Sequence, residues 1–344
     1  MRVIRGLHNL TSADRGCVAT IGNFDGVHRG HQAILQQCRE HAARLQAPLT
    51  VVVFEPQPRE FFAGEQAPPR LTRLREKVRL LMKHGAERVV CLPFNDALRS
   101  LTGREFIDQV LIEGLGVKHL VVGDDFRFGC DRRGDFTLLE AVGREMGFGV
   151  EHTRTFTIDG ERVSSTRVRT MLASGNFRAA ATLLGRAYSL SARVVRDQQL
   201  GRTIGVPTAN LPLLPQPLTL RGVFAVVAER EDGTRYPGVA NVGFRPTVGS
   251  ERPTLEVHLF DFAGDLYGER CTVYPCARLR GETKFDDFDA LKDQIKRDQA
   301  RARRFLADFA RGDDMLPLAS APLGRETSSF DSTSAGNAAD ANDG

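Results

Sequence analysis

Gly22-Asn23-Phe24-Asp25-Gly26-Val27-His28-Arg29-Gly30-His31 follows a short apolar run, Cys17 to Ile21, and precedes a segment with Ile34, Leu35, Cys38, Ala42 and Leu45 at helical spacing. The run has the length of one buried strand, so the ten residues sit at a strand-to-helix turn. In an open α/β sheet such a turn lies at the carboxyl edge, where ligands bind. The helix start there offers free N–H groups and partial positive charge to a phosphate. Gly22, Gly26 and Gly30 permit tight turning and close approach of a ligand to the backbone. His28 and His31 are three apart and share one face of the first helical turn. Both can donate to phosphate oxygens and, when protonated, add charge. The plainer reading of the same residues is a turn with two surface imidazoles.

Working outward, Val51 to Phe54 reads as a second buried strand, which makes the unit βαβ with parallel pairing and a right-handed crossover. Glu55-Pro56-Gln57-Pro58 ends it in a segment that two prolines keep extended, and Arg59 to Pro69 is a polar loop, either a cover for a site or a simple connection. Thr72 to His84 is an amphipathic helix, Arg88 to Leu92 a third strand, Phe106, Val110, Leu111 and Leu115 mark another helix, and His119 to Val122 is a fourth strand. That strand enters Gly123-Asp124-Asp125-Phe126-Arg127-Phe128-Gly129, a second loop at the ligand edge. Its carboxylates, Asp125 among them, suit ribose hydroxyls, base nitrogens or magnesium. Phe126 and Phe128 either stack on a planar ring or pin the turn to the core. Leu138 to Met146 and Phe148 to His152 add a helix and a strand. Ser164, Ser165, Thr166 and Arg167 then open a helix: they are capping residues, or three hydroxyls and a cation arranged for phosphate.

The 344-residue length suggests two domains, and the composition is that of a soluble globular protein with a formal net charge of +4. Asp313 to Gly344 holds six acidic residues and one arginine, so the preceding 312 residues carry +9. A basic body suits nucleotides and would also suit nucleic acid. The six cysteines form no Cys-x-x-Cys pair and give neither a zinc framework nor a disulfide scaffold. No stretch approaches 18 apolar residues and no secretory signal opens the chain, so the expected location is the cytoplasm. The first half lacks a Gly-x4-Gly-Lys-Ser/Thr phosphate loop.

The texture changes near Arg186. A last helical pattern, Gly175 to Gly185, gives way to short strands broken by Gly, Pro and Asp: from Tyr188 onward, then Phe224 to Ala228, Gly238 to Val242, Leu255 to Phe260 and Arg270 to Tyr274. This predicts a barrel or sandwich of about six strands. Gly201-Arg202-Thr203-Ile204-Gly205-Val206-Pro207-Thr208-Ala209-Asn210 carries two glycines that let a loop close over phosphates. Thr208 and Asn210 are two apart, so on an extended segment their oxygens point one way, as hard ligands for magnesium carrying ATP. Glu256 and His258 share a strand face opposite Leu255, Val257 and Leu259. A carboxylate so placed can take the proton of an attacking hydroxyl, or simply face solvent. Phe285 to Phe309 carries an amphipathic helix, and the segment after Gly312 reads as a disordered tail.

The first stretch resembles the His-x-Gly-His signature of the nucleotidylyltransferase superfamily. Its longer form is similar to that of the bacterial bifunctional riboflavin kinase/FAD synthetases. Gly123 to Gly129, Val163 to Arg169, Gly201 to Asn210, Gly238 to Thr247 and Thr254 to Phe262 resemble further motifs of that family, in family order over roughly residues 1–312. The resemblance implies a Rossmann-like nucleotidylyltransferase domain over residues 1–186 and a riboflavin-kinase β-barrel with a terminal helix over 187–312, with 313–344 as the tail. It implies that the barrel converts riboflavin and ATP to FMN, that the first domain converts FMN and ATP to FAD and pyrophosphate, and that both need Mg2+. By the same resemblance His28, His31 and Arg167 neutralise ATP phosphates. Gly22, Asn23, Phe24, Asp25, Gly26, Gly30, Ser164, Ser165 and Thr166 bind nucleotide in the first domain. Gly201, Arg202, Gly205, Pro207, Thr208 and Asn210 do so in the second, with Thr208 and Asn210 on the metal. Asp125, Phe126, Phe128, Asn241 and Arg245 contact flavin, and Glu256 is the base for the ribityl 5′-hydroxyl. A homo-oligomer is compatible with this reading. The rivals are a nucleotidylyltransferase for another phosphate-bearing acceptor, which has no need of the Pro-Thr-Ala-Asn module, and a nucleic-acid-binding barrel beside a degenerate enzyme domain, which has no need of His28, His31 and Glu256.

Overall fold

The computed structural model describes residues 2–123, 126–196, 205–213, 217–245, 252–285 and 287–311. Two six-stranded sheets organise it. The first is wholly parallel, in the order β1-β4-β3-β2-β5-β6. Its strands are β1 (Arg2–Arg5), β2 (Val18–Ile21), β3 (Leu49–Glu55), β4 (Arg88–Pro93), β5 (His119–Val122) and β6 (Gly149–His152). The central strands are apolar on both faces because helices cover both. Val18, Val51, Val53, Val89 and Val121 pack under α1 (Arg29–Leu45) and α3 (Leu74–Lys83), with the short α2 (Pro58–Ala63) between them in sequence. The alternate residues Ala19, Ile21, Val52, Val90 and Leu120 face the other layer. After the one-turn α4 (Asp96–Arg99), that layer is built by α5 (Gly103–Phe106), which runs on as a wider helical segment Ile107–Leu115, and by α6 (Phe136–Met146).

Two sequence expectations shift here. Pro58 does not prolong an extended segment but starts α2, at the first helical position where a missing N–H costs nothing. Leu45, expected on the buried stripe of α1, is the last residue of the helix and is 40% exposed.

A small hairpin, β7 (Thr157–Ile158) with β8 (Glu161–Arg162), leads to α7 (Ser165–Ala173) and α8 (Phe177–Leu184). The second sheet follows, antiparallel throughout, in the order β10-β13-β12-β11-β14-β9. Its strands are β9 (Leu190–Arg193), β10 (Ala209–Pro212), β11 (Gly222–Glu229), β12 (Arg235–Arg245), β13 (Arg252–Leu259) and β14 (Arg270–Arg280). A bridge from Val195 to Asn210 brings the two edges together into a nearly closed barrel. Its interior is one apolar cluster that also takes in Val168, Leu172, Phe177 and Leu184 of α7 and α8. The closing helix α9 (Phe288–Arg311) lays Ala302 and Leu306 against Val223, Ala225 and Val239 on the outer face. Asp298 of α9, 2% exposed, accepts from Arg280 Nε at 2.8 Å and so pins the helix to the end of β14. No described helix is long and apolar enough to cross a membrane.

Candidate active site

The loop after β2 is held by its own carboxylate. Asp25 is 3% exposed and accepts from the backbone N–H of Leu71 at 3.0 Å, from that of Thr72 at 3.1 Å and from the Arg169 guanidinium at 2.6 Å. Gly26 N–H donates to Thr72 Oγ1 at 3.1 Å, and Ser165 Oγ donates to the Asp25 carbonyl at 2.9 Å. The loop turns through left-handed conformations at Phe24, Gly26 and Val27. It ends at His28, the N-cap of α1, whose Nδ1 accepts the His31 N–H at 3.3 Å. A Cβ on Gly30 would sit 3.1 Å from the Val163 carbonyl, so this glycine lets the first loop and the start of α7 close on each other.

What they close around is a cavity of about 520 Å³. Gly22, Asn23, Phe24, Asp25, His28, Gly30 and His31 line it from one side, Ser164, Ser165 and Thr166 from another, and Phe126 from a third. Gly26 lies behind it, against Leu71 and Leu184. The two motifs that lie more than 130 residues apart in sequence thus face one space.

The roles inside that space differ from the sequence expectation in five respects. Asp25 is spent on holding the loop rather than offered to a ligand. Ser164 Oγ accepts the Arg167 N–H at 3.2 Å as a helix cap, and Ser165 Oγ is taken by Asp25, so among these hydroxyls Thr166 is the exposed one. The Arg167 guanidinium turns away to the β7–β8 hairpin, donating to the carbonyls of Ile158 at 3.0 Å and Glu161 at 3.1 Å and pairing with the Glu161 carboxylate. Phe128 is 7% exposed, packed between Phe126 and Phe106, and serves as the core pin of its turn. Finally, His28 and His31 stack with ring centroids 3.6 Å apart, and both are neutral. Burial first, and Arg162 next, push His28 down to about 3; burial and the neighbouring His28 ring hold His31 well below the usual imidazole range. Because His28 Nδ1 accepts a backbone N–H, the neutral ring carries its proton on Nε2. The cationic lining comes instead from Arg127 and Arg169 inside quoted motifs and from arginines that motif reading passed over, Arg59, Arg154 and Arg162 among them. Arg162 stands immediately before the quoted Val163–Arg169 motif and Arg59 opens the loop read as a possible cover, whereas Arg154 carried no local signal.

On the barrel, the register aligns a second set. Glu256 of β13 pairs directly with Asn210 of β10 on one side and with Asn241 of β12 on the other. Directly paired residues point to the same face, so the three form a row across three strands, on the face that carries α9. Asn210 is buried, Glu256 half-buried and Asn241 exposed. His258, two residues along β13, has its Nδ1 2.8 Å from the Pro207 carbonyl, which ties the segment Gly205–Thr208 to the strand. Thr208 stands two residues before Asn210 on that segment. Gly201, Arg202, Asp125, the Arg245 side chain and the tail lie outside the described residues.

Comparison with known proteins decides the family. The FAD synthetase family profile matches residues 10–167 and the riboflavin kinase profile residues 184–306. The chain is 53% identical over 311 residues to a bifunctional riboflavin kinase/FMN adenylyltransferase of Pseudomonas fluorescens, covering 90% of this chain and 99% of that one. This chain belongs to the bifunctional riboflavin kinase/FMN adenylyltransferase family. The relative of that description from Escherichia coli strain K12 is 50% identical over 306 residues, covering 89% and 98%, and that from Haemophilus influenzae is 45% identical over 305 residues, covering 89% and 99%. Among solved structures, one described as a macrolide-efflux protein from Streptococcus pneumoniae matches with a TM-score of 0.71 at 31% identity, covering 88% of this chain and 98% of that one. As a bifunctional riboflavin kinase/FMN adenylyltransferase, the chain phosphorylates riboflavin with ATP to FMN and transfers AMP from ATP to FMN, giving FAD.

Proposed function

We propose that the two reactions run at two separate places, adenylyl transfer in the cavity within residues 1–186 and phosphoryl transfer on the barrel face within residues 187–312. In the first, the triphosphate of ATP lies over the N-terminus of α1. An oxygen of the FMN phosphate attacks the α-phosphorus, the bond to the bridging oxygen breaks, and pyrophosphate leaves. The nucleophile is already anionic, so no protein base is needed; the work is in-line positioning and charge stabilisation. His28 serves as a neutral Nε2–H donor, with His31 stacked beside it, and the lining arginines supply the charge. Phe126 offers a ring face for the flavin. The concentration of arginines at this cavity supports a nucleotide as the partner of the basic body, in preference to nucleic acid.

In the second, Glu256 takes the proton of the ribityl 5′-hydroxyl as that oxygen attacks the γ-phosphorus and ADP leaves. The Asn210–Glu256–Asn241 row is the observation that carries this reading: it sets a carboxylate between two amides on a face edged by the loop from Gly205. Thr208 and Asn210 offer hard oxygen donors on that face, a donor set that fits Mg2+. Held there, the ion would neutralise phosphate charge. Asn241 stands on the flavin side. Both steps consume ATP, which argues for the cytoplasm as their place.

The test is to separate the flavins after incubation with ATP and Mg2+. Glu256→Gln is expected to lower FMN formation from riboflavin by about 10²- to 10⁴-fold while supplied FMN is still converted to FAD. Loss of both activities in a folded variant would overturn the separation of sites.

A further inference from the structure

At the opposite edge of the parallel sheet from the cavity lies a cluster that neither reaction uses. His119 opens β5, four residues before Gly123, so about 13 Å of strand separates it from the ligand edge. Its ring stacks on His41 of α1 with centroids 3.7 Å apart. Glu151 of β6 turns one carboxylate oxygen, Oε2, to both: 2.6 Å from His41 Nε2 and 3.6 Å from His119 Nε2. We propose that His41, His119 and Glu151 form a binding site for a borderline divalent cation of the zinc class, which ties α1 to the start of β5 and to β6.

Three observations carry this. The donor set, two imidazole nitrogens and a carboxylate oxygen, is one that zinc takes with a water in the fourth position, and the three ligand atoms lie within 4.8 Å of one another. His119 Nε2 is shut off from water and, with Glu151 Oε2 no nearer than 3.6 Å, has no hydrogen-bond partner among the described residues, a state that buried polar atoms rarely keep. The surroundings are built to seat these groups. Gly149 lies under the His119 ring, where any Cβ would overlap it. Gln37 Nε2 donates to Glu151 Oε1 at 2.6 Å and to the His152 carbonyl at 2.9 Å, which leaves Oε2 turned to the imidazoles. Such outer hydrogen bonds are what orient a metal-binding carboxylate.

Arg44 donates to His41 Nδ1 at 2.6 Å, so His41 carries its proton on Nε2 and donates it to Glu151. Zinc replaces that proton at Nε2, the proton moves to Nδ1, and the exposed Arg44 swings into water, with no net proton released. The stacked rings open so that both nitrogens face the ion.

The experiment uses the full chain, stripped with a chelator, in a Cys130→Ser background because the thiol of Cys130 is exposed and would compete. It is titrated with ZnCl2 against a chromophoric indicator and by calorimetry. One equivalent is expected, with a rise in Tm of about 5 °C at a hundredfold excess over Kd. His119→Phe keeps a ring over Gly149 but has no nitrogen, and Glu151→Gln keeps the shape but loses the anion; each is expected to lose the equivalent and the Tm shift while still forming FMN and FAD. If His119→Phe does not fold, Glu151→Gln decides alone. No zinc bound to the parent chain, or the same equivalent and Tm shift in a folded variant, would show a hydrogen-bonded cluster only and overturn the proposal.

Discussion

Asp25→Asn tests the organisation of the adenylylation cavity most directly. The carboxylate is 3% exposed and gathers the Leu71 and Thr72 amides and the Arg169 guanidinium, three groups from two distant segments. An amide keeps one acceptor oxygen, sets an N–H2 against donors that need an acceptor, and leaves Arg169 facing a neutral group. Breaking a buried charge pair from one side costs about 3–5 kcal/mol. Arg169 softens this, because it keeps the Pro69 carbonyl at 2.7 Å and its side chain is 18% exposed. The expected loss is therefore about 3 kcal/mol, the low end of that range, read as a fall in Tm of roughly 6–12 °C. FAD formation from FMN should collapse, since Gly26 and the start of α7 hang on the same loop, whereas FMN formation on the barrel should persist at temperatures where the variant stays folded. Arg169→Met alone, and the double variant, complete a cycle that should show strong coupling between the two residues. If Asp25→Asn kept the parental Tm and still lost FAD formation, the carboxylate would be a ligand of substrate and its role as the anchor of the loop would be refuted.

Two further outcomes follow from the cavity. His28 and His31 are held neutral in the folded chain, His28 at about 3, while the unfolded chain binds protons near 6.5. Between those values the unfolded state carries more protons, so stability is full above pH 6.5 and falls as the solution is acidified. Urea unfolding at pH 7 and pH 5 should show this loss, and His28→Asn should lose less, by up to about 1.4 kcal/mol per pH unit for the one proton removed. Arg162 lines the cavity whereas Arg167 serves the hairpin. Arg162→Ala should therefore raise the KM for ATP in adenylylation by roughly 10- to 100-fold, the worth of one charge-assisted hydrogen bond, and Arg167→Ala should act mainly on thermal stability; the reverse pattern would restore Arg167 as the phosphate grip.

The parallel half of the fold is legible because its strands are continuous apolar runs covered on both faces, and His119–Val122 is read to the residue. The edge strand β1 is not, since only Ile4 of Arg2–Arg5 is buried and two arginines flank the pair Val3-Ile4. The cavity is half legible. Motif spacing brings His28, His31 and Ser164 to helix starts, but which hydroxyl is spent as a cap, or where a long guanidinium turns, depends on groups elsewhere in the chain. Arg167 finds its acceptors in a two-residue hairpin that carries no periodic signal. The row on the barrel is hidden for the same reason: Asn210 and Glu256 meet only through strand register, 46 residues apart, and no local pattern encodes register.

The same long-range packing bears on why the two activities share a chain. The helix that presents Ser164 to Arg167 is not rooted in the parallel sheet. Val168 and Leu172 of α7, with Phe177 and Leu184 of α8, belong to the apolar cluster that fills the barrel, in company with Phe224, Val242 and Leu255. Its N-terminus is meanwhile tied to the β2 loop through Ser165 and Asp25, and Arg169 of the same helix reaches back to Asp25 and Pro69. So α7 has its apolar face in the kinase half and its polar end in the adenylylation cavity. A buried apolar face is what holds a nine-residue helix in place, because one so short is marginal by itself. The cavity wall proposed for FAD formation therefore has its apolar support in the barrel proposed for FMN formation.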